Sequence, residues 1–87
     1  MKVDVLYSKK FLKMLSKLDP NLQEEMLEKI DLFKNTENHK RLKLHKLKGD
    51  LRGCYSFSVN YRYRVLFQYD FKKNPILLIV NDHGMYN

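Results

Sequence analysis

The hydrophobic pattern at the start of the chain changes from a strand period to a helix period. Val3, Val5 and Tyr7 alternate with the residues between them, which predicts a half-buried strand. Ser8 follows as a helix N-cap. From Lys9 onward the apolar residues recur at helical spacing, which predicts a helix that ends before Asp19. Its expected inner stripe is Phe11, Leu12, Leu15 and Leu18.

A second helix is predicted directly after the first. Asp19 can cap it, and Pro20 suits its first position because the missing N–H has no partner there. Glu24 and Glu25 lie near the positive end of the helix dipole and Lys34 near the negative end. The two helices should therefore form a hairpin, with an apolar stripe that packs on a sheet. That stripe is Leu22, Met26, Ile30 and Phe33.

The second half of the chain reads as a long loop followed by three strands. Residues 35–50 lose helical periodicity and gather charge, which predicts a loop with a short extended piece around Leu44 to Leu47. After Gly53, strand-like alternation places Tyr55, Phe57 and Val59 on one face and Ser56 and Ser58 on the other. A turn near Asn60 leads into a strand that has Tyr63, Val65, Phe67 and Tyr69 on one face. The apolar run from Ile76 to Val80 fits a central strand.

This order of elements predicts an α+β fold. We expect one domain over residues 1–87, with an N-terminal strand and a two-helix hairpin packed on a mostly antiparallel, twisted, four-stranded sheet. The helices cover one face of such a sheet. If Tyr63 and Val65 point at the helices, Arg64 lies on the opposite, open face.

Charge is concentrated in one part of the chain. From His39 to Arg64 there are eight lysines and arginines against a single acid, Asp50, so this window accounts for the formal net charge of +7. Clustered cations gain affinity for phosphates by releasing counterions. The window therefore favours a protein that touches nucleic acid.

Several other classes of protein are disfavoured by the composition. The single cysteine, Cys54, rules out an internal disulfide and reads as a small half-buried filler. The three histidines lack short metal-ligand spacing, so we expect no metal and no other cofactor. No apolar run is long enough to cross a bilayer and the start lacks a signal-peptide pattern, which predicts a cytoplasmic location without membrane contact.

The run KLHKLKGDLRGCYSFSVNYRYRVLF resembles the RelE/ParE superfamily of bacterial toxins from toxin–antitoxin modules. Leu47 and Gly49 close a loop in it, Arg52 opens a strand, and residues 63–67 form the next strand. The likeness spans nearly the whole chain. The late histidine, His83, is similar to that of the RelE-type branches HigB, YoeB and YafQ, which are ribosome-dependent mRNA endonucleases. ParE-type members, which poison gyrase, generally lack it.

The resemblance implies metal-independent RNA cleavage, in which a 2′-hydroxyl attacks the neighbouring phosphate. Arg64 would face the scissile phosphate, and His83 would be the acid or the base, because an imidazole titrates near neutral pH. His45 matches the histidine that the YafQ branch places before its loop glycine, and Arg52 would hold phosphate. The glutamate that YoeB carries ahead of this loop has no counterpart among residues 40–48, so base duty moves to a histidine or lysine.

Further residues are implied to bind RNA rather than to react with it. Tyr86 could stack on a splayed base, although its spacing from His83 differs from the YoeB pattern. The others are cations of the basic window that would contact the mRNA or ribosomal RNA, namely Arg41, Lys43, Lys46, Lys48 and Arg62.

Three functional hypotheses follow. The first is a RelE-type toxin that cleaves mRNA in the ribosomal A site, inhibits translation and is neutralised by a cognate antitoxin protein. The second is a ParE-like toxin that acts on gyrase, and the third is a non-catalytic RNA- or ribosome-binding module. Only the first requires a proton-transfer residue, so replacing His83 distinguishes them.

Overall fold

The computed structural model describes residues 1–82, and its two helices begin at the two predicted caps. Helix α1 spans Lys9–Ser16, where the Phe11 amide donates to the Ser8 hydroxyl at 3.0 Å. Helix α2 spans Pro20–Phe33, where the Leu22 amide donates to the Asp19 carboxylate at 3.1 Å. Both side chains satisfy amides that have no partner within the helix, which confirms the predicted helix starts.

The sheet has five strands, which in chain order are β1 (Leu6–Tyr7), β2 (His45–Lys46), β3 (Tyr55–Ser58), β4 (Tyr63–Tyr69) and β5 (Pro75–Asp82). Their spatial order is β1-β5-β4-β3-β2. Its edges are two-residue strands, and β1 and β5 form the parallel pair, whereas the other pairs are antiparallel. The apolar strand β5 lies between β1 and β4, as its sequence predicts.

The mostly antiparallel α+β class is confirmed, but the predicted count of four strands is wrong. The fifth strand is β2, which arises from the short extended piece expected around residues 44–47 and pairs with the start of β3. The first strand is also shorter than predicted. Lys2 forms an isolated bridge with Asn35, and the Val3 amide donates to the Lys34 carbonyl, so this part of the chain bonds to the end of α2 instead of to β5.

The hydrophobic core lies between the helices and one face of the sheet. Phe33 is its centre: its ring stacks on Phe57 at 4.2 Å between centroids and meets the edge of Phe67 at 4.9 Å. Leu12 is 49% exposed, in contrast to the expected stripe, because its neighbour Phe11 takes the inward position of this short helix. The buried apolar residues of the core are Phe11, Met26, Ile30, Phe33, Leu42, Phe57, Val59, Val65, Phe67, Leu77 and Val80.

Within residues 1–82, the helices pack on one face of the sheet and no helix covers the other, which we call the open face. Val65 and Phe67 point into the core, which meets the condition set above and puts Arg64 on the open face. Directly paired residues share a face, and Arg64 is paired with Ser58 on β3 and Asn81 on β5. Arg64 and Ser58 are partly exposed on this face, so a ligand can approach them there.

Replacing Phe33 by alanine should destabilise the fold severely. Phe33 is fully buried, and truncating a buried phenylalanine costs about 3–5 kcal/mol, a large part of the roughly 5–15 kcal/mol that holds a small protein folded. Thermal unfolding followed by circular dichroism checks this. Phe71, which is 90% exposed, is the control: its replacement by alanine should leave the unfolding temperature nearly unchanged, and equal losses in both variants would contradict the assigned core.

Candidate functional site

On the open face, small residues of β3 lie between larger residues of β2 and β4, and we call this strip of the sheet the trough. Ser56 is paired with His45 on one side and with Leu66 on the other, while Ser58 is paired with Arg64. His45 and Arg64 therefore share this face, and strand spacing puts their Cα atoms about 12 Å apart. Both side chains are long enough to approach a single group that lies over the two serines.

Ser56 is the buried polar residue in this trough. Its side chain is only 1% exposed, and its hydroxyl oxygen has no hydrogen-bond partner within residues 1–82. A buried hydroxyl without a partner costs about 1–3 kcal/mol, so it is a candidate to bind an ordered water beside His45.

Arg64 lines a groove of about 420 Å³, which lies at the end of the trough where β4 begins. Its floor includes the buried side chains of Leu42 and Val59, and its rim carries cations from three parts of the chain. Arg64 makes no hydrogen bond or ion pair with any residue in the described part of the chain, so its guanidinium is available to an anion. The lining residues are Lys29, Arg41, Leu42, Lys43, Ser58, Val59, Asn60, Tyr61 and Arg64.

The segment before β2 orients the His45 ring. Nδ1 of His45 lies 3.0 Å from the carbonyl oxygen of Lys43. Because a carbonyl only accepts hydrogen bonds, we assign the proton of the neutral ring to Nδ1, which leaves Nε2 as a proton acceptor. Lys43 has φ of 57°, a left-handed conformation that costs a non-glycine residue roughly 1–2 kcal/mol. Such strain is common where a functional group must be positioned.

The turn between β3 and β4 is held by the side chain of Asn60. Its amide oxygen accepts hydrogen bonds from the amides of Arg62 at 2.9 Å and Tyr63 at 2.8 Å. Its amide nitrogen donates to the Glu25 carboxylate on α2 at 2.7 Å. The turn predicted near Asn60 is thus confirmed, and it is joined to the helix layer. Tyr61 lies at its tip with 96% of its surface exposed.

Arg62 is engaged within the protein, unlike Arg64. Its Nε and Nη2 atoms each donate to the Asp82 carboxylate at 2.9 Å. The hydrogen bond and the charge of Asp82 raise the pKa of the Arg62 side chain. The guanidinium also lies over the Tyr63 ring, 5.2 Å from its centroid. These contacts tie the start of β4 to the end of β5, so an RNA phosphate would compete with Asp82 for this arginine.

The remaining candidates from the sequence are spread over several places. Lys46 is paired with Tyr55 and so lies on the helix side of the sheet, away from Arg64. Lys48 and Arg52 are exposed on the loop that joins β2 to β3, whereas Arg41 and Lys43 line the groove. His83 and Tyr86 lie outside the described residues, and their predicted roles stay predictions.

Two groove residues were missed by the sequence reasoning. Lys29 reads as an ordinary solvent-facing lysine of α2, and no local pattern connects it with residues 41–43. Tyr61 is hidden in the alternation of NYRYR, although its position one residue after the predicted turn residue was a usable signal.

Two further observations bear on chemistry. His39 stacks on Phe33 at 4.8 Å between ring centroids and its Nε2 bonds the Phe33 carbonyl at 2.8 Å, so it supports the fold. Within residues 1–82, no group of three or more His, Cys, Asp or Glu side chains is placed to hold a metal ion. No helix in the same range is long and apolar enough to cross a membrane.

These features define a class of small α+β proteins that carry cations on the open face of the sheet. A family model described as the RelE-like toxin of the type II toxin–antitoxin system HigB matches residues 6–83. The chain therefore belongs to the family of HigB-like toxins, within the RelE-type toxins of type II toxin–antitoxin systems. A search of curated protein sequences found no match.

Three of the solved structures with the same fold are toxin–antitoxin complexes. The archaeal RelE–RelB complex from Pyrococcus horikoshii OT3 matches with a TM-score of 0.73 and 24% identity over 97% of this chain and 98% of that one. The RelBE2 complex from Mycobacterium tuberculosis matches at 0.71 and 21%, over 94% and 99%. The E. coli DinJ–YafQ complex matches at 0.71 and 16%, over 98% and 97%. These similarities support the fold.

Proposed function

We propose that this toxin is an endoribonuclease that cleaves mRNA on the translating ribosome without a metal ion. The observation that carries the proposal is the open sheet face, where Arg64, with its charge available to an anion, shares a trough with an oriented His45. A phosphodiester placed between these two side chains would meet a guanidinium on one side and an imidazole on the other. These are the groups that 2′-hydroxyl attack on phosphorus needs.

The proposed reaction is an internal transesterification. Nε2 of His45 takes the proton of the 2′-hydroxyl, and the 2′-oxygen forms a bond to phosphorus. Negative charge builds on the equatorial oxygens, and Arg64 stabilises it because its planar fork can donate to two of them. The bond from phosphorus to the 5′-oxygen breaks, and that oxygen takes a proton from an acid, the role that the family resemblance implies for His83. The products are a 2′,3′-cyclic phosphate and a new 5′-hydroxyl.

The groove can bind parts of the RNA that do not react. Lys29, Arg41 and Lys43 lie along it and can neutralise phosphates that flank the scissile one. Lys48 and Arg52 on the β2–β3 loop are suited to hold a neighbouring stretch of mRNA or ribosomal RNA. Arg62 is better suited to anchor the end of β5, because its fork already bonds Asp82.

A cognate antitoxin is the expected protein partner. RelE of P. horikoshii and YafQ of E. coli are seen in complexes with RelB and DinJ. By extension, an antitoxin segment would fold onto the helices or the basic face of this chain and block access of mRNA. Action on translating ribosomes places the proposed activity in the cytoplasm.

Mapping of RNA 5′ ends tests the proposal directly. Purified protein is added to a reporter mRNA with and without translating ribosomes, and primer extension locates new ends. We expect codon-spaced ends only when ribosomes translate. No new ends from a folded preparation that is toxic on expression would contradict the nuclease. A DNA-damage response in that case would indicate gyrase, while ribosome binding without cut RNA would indicate a non-catalytic binding module.

A further inference from the structure

The exposed ring of Tyr61 stands at the rim of the basic groove. It is 96% exposed, and it lines the groove together with Arg41, Lys43 and Arg64. A single exposed aromatic is ordinary on a protein surface. This one combines an open ring face with a row of cations, which is the arrangement that single-stranded nucleic acid recognition uses.

The turn that carries Tyr61 is braced on both sides. The Asn60 side chain closes the turn through the amides of residues 62 and 63, and it donates to Glu25 at 2.7 Å across to α2. Lys29 lies one helical turn after Glu25 and reaches the same groove. The bracing therefore sets the position of the backbone that carries Tyr61 relative to the helix that carries Lys29 before any ligand binds, which lowers the entropic cost of binding.

Phe71, an exposed aromatic residue at the other end of the sheet, differs from Tyr61 in its position. Phe71 is 90% exposed on the turn between β4 and β5, and the Lys72 ammonium lies over its ring at 5.7 Å from the centroid. Phe71 does not line the groove that contains Arg64. Both rings are therefore exposed and close to a cation, but of the two only Tyr61 lies beside the candidate reaction site.

We propose that Tyr61 is a stacking platform for a nucleobase of the substrate strand next to the cleavage point, while Lys29, Arg41 and Lys43 hold the phosphates beside it. The inference rests on the proposed nuclease function and deepens it. Stacking uses the face that every base has, so the platform selects for an unpaired base and not for a particular one. We therefore expect the platform to prefer an RNA strand whose bases are splayed apart to a duplex whose bases are stacked on each other.

Binding of a short single-stranded RNA that carries the fluorescent base 2-aminopurine tests the platform. A 2′-O-methyl group at each sugar prevents cleavage. Tyr61→Ala should weaken binding about 5-fold to 100-fold, the range for losing one base–aromatic stack, and should abolish quenching of the base. Tyr61→Phe should keep both. Both variants should fold normally because the Tyr61 ring is almost fully exposed.

The salt dependence of binding separates stacking from charge. Tyr61→Ala should leave the slope of log affinity against log salt unchanged, whereas Arg41→Ala should reduce it by about one unit and keep the quenching. Phe71→Ala is the matched control and should bind as the wild type does. If free RNA binds too weakly to titrate, Tyr61→Ala should instead need about 5-fold to 100-fold more protein for half-maximal cleavage on ribosomes.

Failure of the platform and failure of the nuclease have different signatures. If the wild type cleaves mRNA on ribosomes and Tyr61→Ala matches it in binding, quenching and cleavage, the stacking role is wrong and the nuclease stands. An equal loss in Tyr61→Ala and Phe71→Ala would also overturn a specific role for Tyr61. If the wild type neither binds nor cleaves RNA, the proposed function fails and the stacking role falls with it.

Discussion

Replacing Arg64 by alanine is expected to slow RNA cleavage by about 10²-fold to 10³-fold, the usual cost of removing one group that stabilises charge developing in the transition state. Arg64 lies on the open face beside Ser58, in a groove and without an ion-pair partner among residues 1–82. Its charge would therefore act on the phosphorane. Binding to ribosomes should change little, because several other cations line the groove. The measurement is single-turnover cleavage of a reporter mRNA at saturating protein.

Two variants control for effects other than the transition state. Arg64→Lys keeps the charge but loses the planar fork, so it should fall between the wild type and alanine. Lys72→Ala removes one charge from the far turn, where the ammonium lies over Phe71, and should cleave normally. If Arg64→Ala lowered ribosome affinity as much as the rate, the arginine would dock the substrate in its ground state and the assigned role would be wrong.

The sequence predicted those parts of the fold that depend on local interactions. Ser8 and Asp19 cap their helices because each side chain needs only an amide three residues away. Alternation within β4 put Arg64 opposite the core on the condition that Tyr63 and Val65 face the helices. The structure meets that condition, because Val65 lies in the core and Tyr63 packs against it. These features are determined within about one turn or one strand of sequence.

Features that depend on distant contacts could not be predicted. A short extended piece was predicted around residues 44–47, but the pairing of residues 45 and 46 with β3, which makes it a strand of the sheet, was not. The groove brings Lys29 of α2 beside residues 41–43 and Tyr61, an arrangement that only the packed tertiary structure creates. The different states of Arg62 and Arg64 are equally invisible in NYRYR, since Arg62 is engaged by Asp82, which is twenty positions away along the chain.

The basic window predicted contact with nucleic acid, but it did not show which of its cations lie on the same surface. All eight cations of the basic window count equally in the net charge, yet the structure distributes them over different surfaces. Lys46 lies on the helix side of the sheet, Arg62 is held by a carboxylate, and Arg41 and Lys43 line the groove with Arg64. Net charge therefore predicts attraction to RNA in general, while strand parity and pairing decide which cations can meet one phosphate.

Replacing His45 by alanine is expected to reduce cleavage by about 10²-fold to 10⁴-fold, the contribution typical of a positioned general base. The hydrogen bond from Nδ1 to the Lys43 carbonyl fixes the ring and leaves Nε2 as the acceptor for the 2′-hydroxyl proton. Because the side chain is exposed, the fold should tolerate the change. Added imidazole should restore part of the rate if the missing function is proton transfer, since a free base can enter the space that the side chain leaves.

A second substitution separates proton transfer from positioning of the loop. The side-chain amide of His45→Asn can still donate to the Lys43 carbonyl but has no basic nitrogen, so this variant should keep RNA binding and lose cleavage to the same extent as alanine. His39→Gln is the matched control, because His39 bonds the Phe33 carbonyl within the core side of the molecule and should not affect the reaction. Full activity of His45→Asn would show that His45 only supports the strained turn at Lys43, and base duty would pass to another group.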